Sequence, residues 1–364
     1  MSRSADPVEA ISQRLDTFIS AQRAHAAGLG SEAGLFIGAA AAAAAGGKRL
    51  RGRFLIAGWR AVEEASARSA VPPAEVVAAA GALEIFHAAA LVHDDVIDNS
   101  DTRRGRPAAH RALEASHREA QWTGDAAAFG RSGAILLGDL LVAWSDDLFE
   151  EALELTAPER ATVARAEYAA MRREVTIGQF LDIAEESAFL TEPDERHADR
   201  ALRVASLKSA RYSIQQPLAI GAALAGADAA QTAALAAFGH PLGMAFQLRD
   251  DVLGVFGDER ETGKPSGDDL REGKRTVLIA YAREALAPPA RRIVDELLGD
   301  RSLTGEQIAS LQRTIVETGA LDGVESLISE YARDAERSLS GARLGDAAVS
   351  ELRDLARAAT VRVT

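Results

Sequence analysis

The sequence predicts an all-α protein, and three observations carry that prediction. Alanine and aliphatic residues recur at helical spacing along most of the chain, and alanine is the strongest helix former. Aromatic residues make up only 5% of the sequence. Alternating β-branched runs, the mark of strands, are scarce. The 364 residues are 47% hydrophobic and 26% charged, ample for a large core. No Pro/Gly/Ser-rich linker divides them, so residues 1–364 read as a single large domain, with 301–364 adding C-terminal helices.

Composition also excludes several classes of function. A net charge of −13 argues against nucleic acid or an anionic membrane as partner. The absence of cysteine rules out disulfides, zinc–thiolate sites and a cysteine nucleophile. Met1-Ser2-Arg3-Ser4-Ala5-Asp6 lacks the apolar core of a signal peptide. The alanine run 39–45 is too short and too weakly apolar to cross a bilayer. No membrane span and a cytoplasmic location are the expectation.

In order, Val8, Ile11, Leu15, Phe18 and Ile19 form an apolar stripe on a first helix, from Val8 to Arg23. The alanine run stops at Gly46-Gly47, before Lys48-Arg49-Leu50-Arg51. A helix is expected from Phe54 to Ala67. Pro72-Pro73 then punctuates the chain before a long, small-residue-rich helix from Ala74 to Asp98. Asn99 to Pro107 reads as a polar loop, and residues 116–130, with Gly124 and Gly130, as another. Gly133 to Leu155 is apolar enough for a core helix. Pro158 opens a further one, and Ala198 to Gly226 follow the break at Pro193, with a kink expected at Pro217. Thr232 to Phe256 forms a second long helix, Gly257 to Gly273 a loop, and Thr276 to Ala285 resume the helical pattern.

The chemistry concentrates at two places. Asp94, Asp95 and Asp98 follow the apolar run Ala88 to Val92, and Asp94 and Asp98 share a helix face one turn apart. Acids at a C-terminal helix end are disfavoured by about 0.3–1 kcal/mol, so a compensating cation is expected. Either an arginine or a divalent ion could serve. Asp250 and Asp251 likewise interrupt an apolar stretch, Phe246 to Phe256. A lone Asp-Asp pair reads as a solvated helix end; two of the same build favour a paired metal site. All-oxygen donors suit Mg²⁺.

Basic residues gather at Gly-rich or acid-rich boundaries: Lys48, Arg51, Arg103, Arg104, Lys208, Lys264 and Lys274. Any one of them reads as ordinary surface, but the set suits polyphosphate. There is no G-x-x-x-x-G-K-[ST] phosphate loop. His87 lies seven residues before Asp94 and is either a packing residue or part of this set. His110 and His117, without a partner pattern, are expected at the surface.

The ordered set Gly46-Gly47-Lys48-Arg49-Leu50-Arg51, Glu84-Ile85-Phe86-His87, Asp94-Asp95-Val96-Ile97-Asp98 and Arg103-Arg104-Gly105 resembles the trans-isoprenyl diphosphate synthases. So do Gly178-Gln179 with Asp182, Lys208-Ser209, Gln247 with Asp250-Asp251, and Gly263-Lys264 through Asp269 to Lys274. The resemblance runs from about Gly46 to Thr276 and is most like a bacterial geranylgeranyl diphosphate synthase. It implies a helical bundle around a deep central cavity, usually a homodimer, using Mg²⁺ or Mn²⁺.

The resemblance implies that Asp94, Asp98 and Asp250 ligate metal ions holding an allylic diphosphate. Asp95, Asp251, Asp182 and Asp269 would join the same ion network. Arg103, Lys208 and Lys264 would contact the allylic diphosphate, near Gln247, with Ser209, Gln179 and Lys274 in the same substrate-binding set. Lys48, Arg51, His87 and Arg104 would hold isopentenyl diphosphate. Two departures stand out: Gly254 occupies the fifth position of the second motif, where many relatives have Asp, and Ser209 replaces the usual Thr.

Product length follows from the helix that carries Asp94. Ala90 and Ala89 are small and do not block the first turn below it, so Phe86 is the first bulky floor. A turn rises about 5.4 Å, and a floor one turn lower admits roughly one more prenyl unit. The expected product is geranylgeranyl diphosphate (C20), with farnesyl or a longer polyprenyl diphosphate as alternatives. A class I terpene cyclase fits less well, because Asp250-Asp251 lacks that group's Ser and Glu continuation and Lys48/Arg51 would go unexplained. A non-catalytic regulatory subunit would be expected to have lost aspartates that this chain keeps.

Overall fold

The computed structural model describes residues 6–66, 68, 71–258 and 265–360. Almost all of this is helix, as the composition predicts. The chain divides into two compact units, residues 1–165 with 220–226, and residues 166–219 with 227–364.

The first unit contains α1 (Pro7–Ala26), α2 (Ser31–Ala44), α3 (Leu50–Ala65), α4 (Ala74–Ile97), α5 (Ala109–Glu119) and α6 (Ala126–Glu154). Its centre is α4, which packs most extensively on α6 and also meets α1 and α3. Small residues make that possible. At Gly81 an added Cβ would lie 3.2 Å from Leu148 and 3.4 Å from Leu15, and at Gly52 it would lie 2.7 Å from Ile11. Ser145 Oγ donates to the Ala82 carbonyl at 2.7 Å, tying α6 to α4. Ile11, Leu15, Phe54, Leu83, Ile85, Leu137, Leu141 and Phe149 are fully buried. Each such side chain contributes about 1.5–3 kcal/mol through lost water contact. Both α4 and α6 have the length and apolarity of a membrane-crossing helix, but 72% of the apolar window of α4 is buried in the fold, as in a core helix, against 28% for α6.

Helix α7 (Pro158–Ala188) and helix α9 (Gln216–Ala225) each have residues in both units. The second unit also holds α8 (His197–Val204), a π-helical stretch Ala205–Gln215, α10 (Ala229–Phe256) and α11 (Asp268–Glu272). Then follow α12 (Val277–Ala285), α13 (Pro288–Leu297), α14 (Gly305–Glu317), α15 (Ala320–Ser338) and α16 (Asp346–Thr360). Leu248, Val252 and Val255 of α10 meet Leu270, Leu278, Val324 and Ile328 in one buried cluster. Asp228 and Gln231 form a reciprocal cap that starts α10.

Several local expectations are corrected. Residues 116–130 are not a loop: α5 runs to Glu119, and α6 begins at Ala126 because Asp125 accepts from the Ala127 and Ala128 amides at 2.8 and 3.1 Å. Gly130 is buried inside α6, where a Cβ would stand 2.3 Å from the His110 carbonyl oxygen. His110 and His117 are not surface residues. They are 2% and 4% exposed, under α6, and His117 packs against Trp122 and Phe129. The irregularity expected at Pro217 lies just before it, in the widened π-helical turns. Asn99 to Pro107 contains a small hairpin, and the stretch expected as a loop from Gly257 to Gly273 contains α11 between two left-handed glycines, Gly267 and Gly273.

Candidate functional site

In the first unit the acids at the end of α4 are met by a short hairpin, β1 (Thr102–Arg103) and β2 (Arg106–Pro107). Arg104 and Gly105 turn it with φ of 54° and 72°, the left-handed pair of a tight two-residue hairpin turn. The turn sends the two neighbouring arginines to different places. Arg103 Nε donates to Asp95 Oδ1 at 2.8 Å, and its Nη2 reaches the same oxygen at 2.5 Å and Asp94 Oδ2 at 3.3 Å. The Arg104 guanidinium reaches the Gly46-Gly47 turn, 3.1 Å from where a Gly47 Cβ would stand.

Arg103 thus pairs with the acids, the arrangement that the sequence reading placed second. The reason is burial. Asp95 is 2% exposed, and stripping its partner would cost about 3–5 kcal/mol. Asp94 and Asp98 lie half-buried on the outer face of the same turn, and the Asp98 amide closes the helix on the Asp94 carbonyl at 2.8 Å.

A cationic cluster forms behind them. His87, half-buried on α4, lies within the field of Arg51, Arg104, Arg103 and Arg49. Burial and then these guanidinium charges hold its imidazole well below the usual range, so it is neutral near pH 7. Arg49 was not singled out from the sequence. It is buried, takes a left-handed φ of 50° at the start of α3, and donates to the Ala44 carbonyl at 3.0 Å. Glu84, one turn before His87, accepts from the Gly52 amide at 2.9 Å and supplies counter-charge. Lys48 is exposed on the glycine turn.

In the second unit Asp250 is exposed and Asp251 buried. Gln247 Nε2 donates to Asp251 Oδ1 at 2.7 Å. Burial, then Asp269 and Asp250, push the Asp251 carboxyl up to about 8, against the opposing pull of Gln247 and Lys274. Lys274 Nζ lies 3.2 Å from Asp269 Oδ1 and 2.8 Å from Glu272. Lys208 Nζ lies 2.5 Å from Asp182 Oδ2, so two residues expected in one network are direct partners. Lys208 and Ser209 sit in the π-helical stretch, held between neighbours. A Cβ at Gly178 would meet the Lys208 amide nitrogen at 2.5 Å, and one at Gly243 the Ala210 carbonyl at 2.3 Å. Gln179 is half-buried beside Gly178. Gly263 and Lys264 lie outside the described residues.

Sequence reasoning also missed the support of Lys274. The next residue, Arg275, stacks 4.3 Å from the Phe189 ring, as does Arg283 at 4.5 Å. Arg283 in turn holds Asp295 through two bonds of 2.7 and 2.8 Å. No periodic signal announces this cluster; it is assembled from four separate segments.

The residues fit a hard divalent cation. The donors at both helix ends are carboxylates, and at Asp251 burial together with the neighbouring acids favours a proton. Among the described residues no three acids or imidazoles form a ready-made metal cage. That suits Mg²⁺, which usually takes one or two carboxylates and completes its shell with water and phosphate oxygens.

Residues 37–315 match the family model for polyprenyl synthetases. The chain belongs to the polyprenyl synthetase family. A solved geranylgeranyl pyrophosphate synthase from Corynebacterium glutamicum, complexed with isoprenyl diphosphate and magnesium, is 37% identical. It covers 100% of both chains with a TM-score of 0.91. A geranylgeranyl diphosphate synthase of Sulfolobus acidocaldarius is 33% identical over 265 residues, 72% of each chain. A geranylfarnesyl diphosphate synthase of Aeropyrum pernix is 33% identical over 314 residues, 85% of this chain and 88% of that one. Polyprenyl synthetase membership agrees with the resemblance carried by the Gly46 to Thr276 motifs, and the all-helical fold agrees with both.

The depressed His87 pKa gives a pH expectation. Such a group contributes stability that is present above its unfolded value and is lost as pH falls below it toward the folded value. In an NMR titration the His87 imidazole should stay neutral as pH drops past 6.5, and added inorganic diphosphate should raise its midpoint. A midpoint at or above 6.5 in the free protein would contradict the cationic cluster.

Proposed function

We propose that this polyprenyl synthetase is a trans-prenyltransferase that condenses isopentenyl diphosphate with an allylic diphosphate, head to tail, to give geranylgeranyl diphosphate. The observation that carries the reading is the gathering of Arg49, Arg51 and Arg104 near His87, beside the Gly46-Gly47 turn, a setting suited to a diphosphate, in a chain that also bears two acidic helix ends. Both units are taken to serve one catalytic domain. A cytoplasmic site of action is part of the proposal and suits water-borne diphosphates.

Asp94, Asp98 and Asp250 would hold Mg²⁺, or Mn²⁺, with Asp95, Asp251, Asp182 and Asp269 around them. Bound metal would supply positive charge for the departing diphosphate. Arg103 and Lys208 would contact the allylic diphosphate, exchanging their carboxylate partners for phosphate oxygens. Gln179, Ser209, Gln247, Lys264 and Lys274 complete that set. Lys48, Arg51, His87 and Arg104 would hold isopentenyl diphosphate. Apolar walls would be needed there to exclude water that would otherwise trap the allylic cation. The C–O bond to the allylic diphosphate would break, the double bond of isopentenyl diphosphate would attack the cation, and the released diphosphate would take up the proton that is lost.

The C20 product rests on α4. Phe86, Ala90 and Asp94 recur every four residues on one face, and Phe86 is buried while Ala90 is half-buried and Ala89 fully buried. A geranylgeranyl synthase as near relative supports the same length. A homodimer is the proposed assembly, through the outer face of α6. Phe129, Ile135 and Leu136 are 36%, 48% and 61% exposed there.

Purified protein incubated with isopentenyl diphosphate, each allylic primer and Mg²⁺ should give a C20 diphosphate by mass spectrometry. Conversion of an allylic diphosphate alone to hydrocarbon would instead point to a cyclase. Phe86→Ala should lengthen the product, and an unchanged C20 would sink the floor assignment. In light scattering, Ile135→Glu with Leu136→Glu should turn a dimer into a monomer; a monomeric wild type would rule out the α6 interface.

A further inference from the structure

On α10 the second acidic cluster is one carboxylate short. Position 254 follows Asp250 by four residues and Asp251 by three, so it lies on their face one turn on. A Cβ built at Gly254 would stand 1.9 Å from Asp269 Oδ2 and 2.3 Å from its Cγ. No side chain at 254 can coexist with Asp269 where it is. The Asp269 carboxylate already fills that space.

It is also held there. Asp269 is 9% exposed, and Lys274 Nζ lies 3.2 Å from its Oδ1. The Gly273 and Lys274 amides both close on the Asp269 carbonyl at 3.1 Å, fixing the end of α11. After burial, the charge of Asp269 is the strongest influence raising the Asp251 carboxyl, so the two acids share one field.

We propose that Gly254 is a positioning residue whose missing side chain admits the Asp269 carboxylate as third acid of the second cluster, so that α11 supplies the cation-facing group that α10 omits. The inference rests on the metal-dependent reading above. A merely structural Gly254 would affect packing and leave cation affinity alone.

Calorimetric titration of the full chain with Mg²⁺ in the presence of inorganic diphosphate separates the cases, with thermal unfolding measured in parallel. Asp269→Asn and Gly254→Ala should each weaken Mg²⁺ binding about 10- to 100-fold. Combined, they should lose no more than either alone, because both remove the same carboxylate. Gly254→Asp with Asp269→Ala, which clears the carboxylate from that space and returns an acid from the helix side, should recover most of the affinity. Unchanged affinity in either single variant, or losses that multiply in the double, would overturn the inference. Asp250→Asn is the control. If it also leaves Mg²⁺ affinity unchanged, the metal reading itself fails; if it alone weakens binding, only the role of Gly254 fails. Should Gly254→Ala not fold, the nearly isosteric Asp269→Asn and the Gly254→Asp, Asp269→Ala pair carry the test.

Discussion

A carboxylate near the C-terminal end of a helix is opposed by the helix dipole, and a buried one also by its lost hydration. The protein imposes both costs on Asp95 of α4, 2% exposed, and on Asp251 of α10, 9% exposed. The two ends meet the cost differently. Asp95 has a full guanidinium in Arg103. Asp251 accepts from the Gln247 amide and feels the Lys274 charge, but burial and two acidic neighbours push its carboxyl up to about 8. The first end therefore holds its charge against a fixed guanidinium, whereas the second lowers its charge by favouring a proton.

Close backbone approach is the second constraint, and it puts the cationic side chains in place. Gly178 and Gly243 leave room for the widened turns that carry Lys208, Gly47 for the Arg104 guanidinium, and Gly254 for Asp269. Arg104 and Arg103 leave one hairpin in different directions because Arg104 and Gly105 both take left-handed φ. Adjacent residues in sequence thereby serve acids at one place and a glycine turn at another.

The long helices and their acidic ends were legible in the sequence, because an apolar run that stops on aspartates is a strong and local pattern. What was not legible depends on neighbours. Gly130 reads as a helix breaker, yet it lies within α6, where its missing side chain leaves room for the His110 carbonyl. His110 and His117 read as surface because α6, which covers them, is remote in the pattern. The π-helical turns before Pro217 need Gly178 and Gly243 from two other helices. Asp269 follows Gly254 by fifteen positions, and nothing in that spacing announces their approach. Arg103 was assigned to a phosphate by family resemblance, whereas its geometry satisfies Asp95.

The central claim is that both acidic helix ends are cation sites. Anomalous diffraction at the manganese edge, from crystals grown with Mn²⁺ and inorganic diphosphate, tests it most directly. The account predicts manganese peaks about 2 Å from carboxylate oxygens of Asp94 or Asp98 and of Asp250. Bound diphosphate with no manganese at either helix end would contradict it.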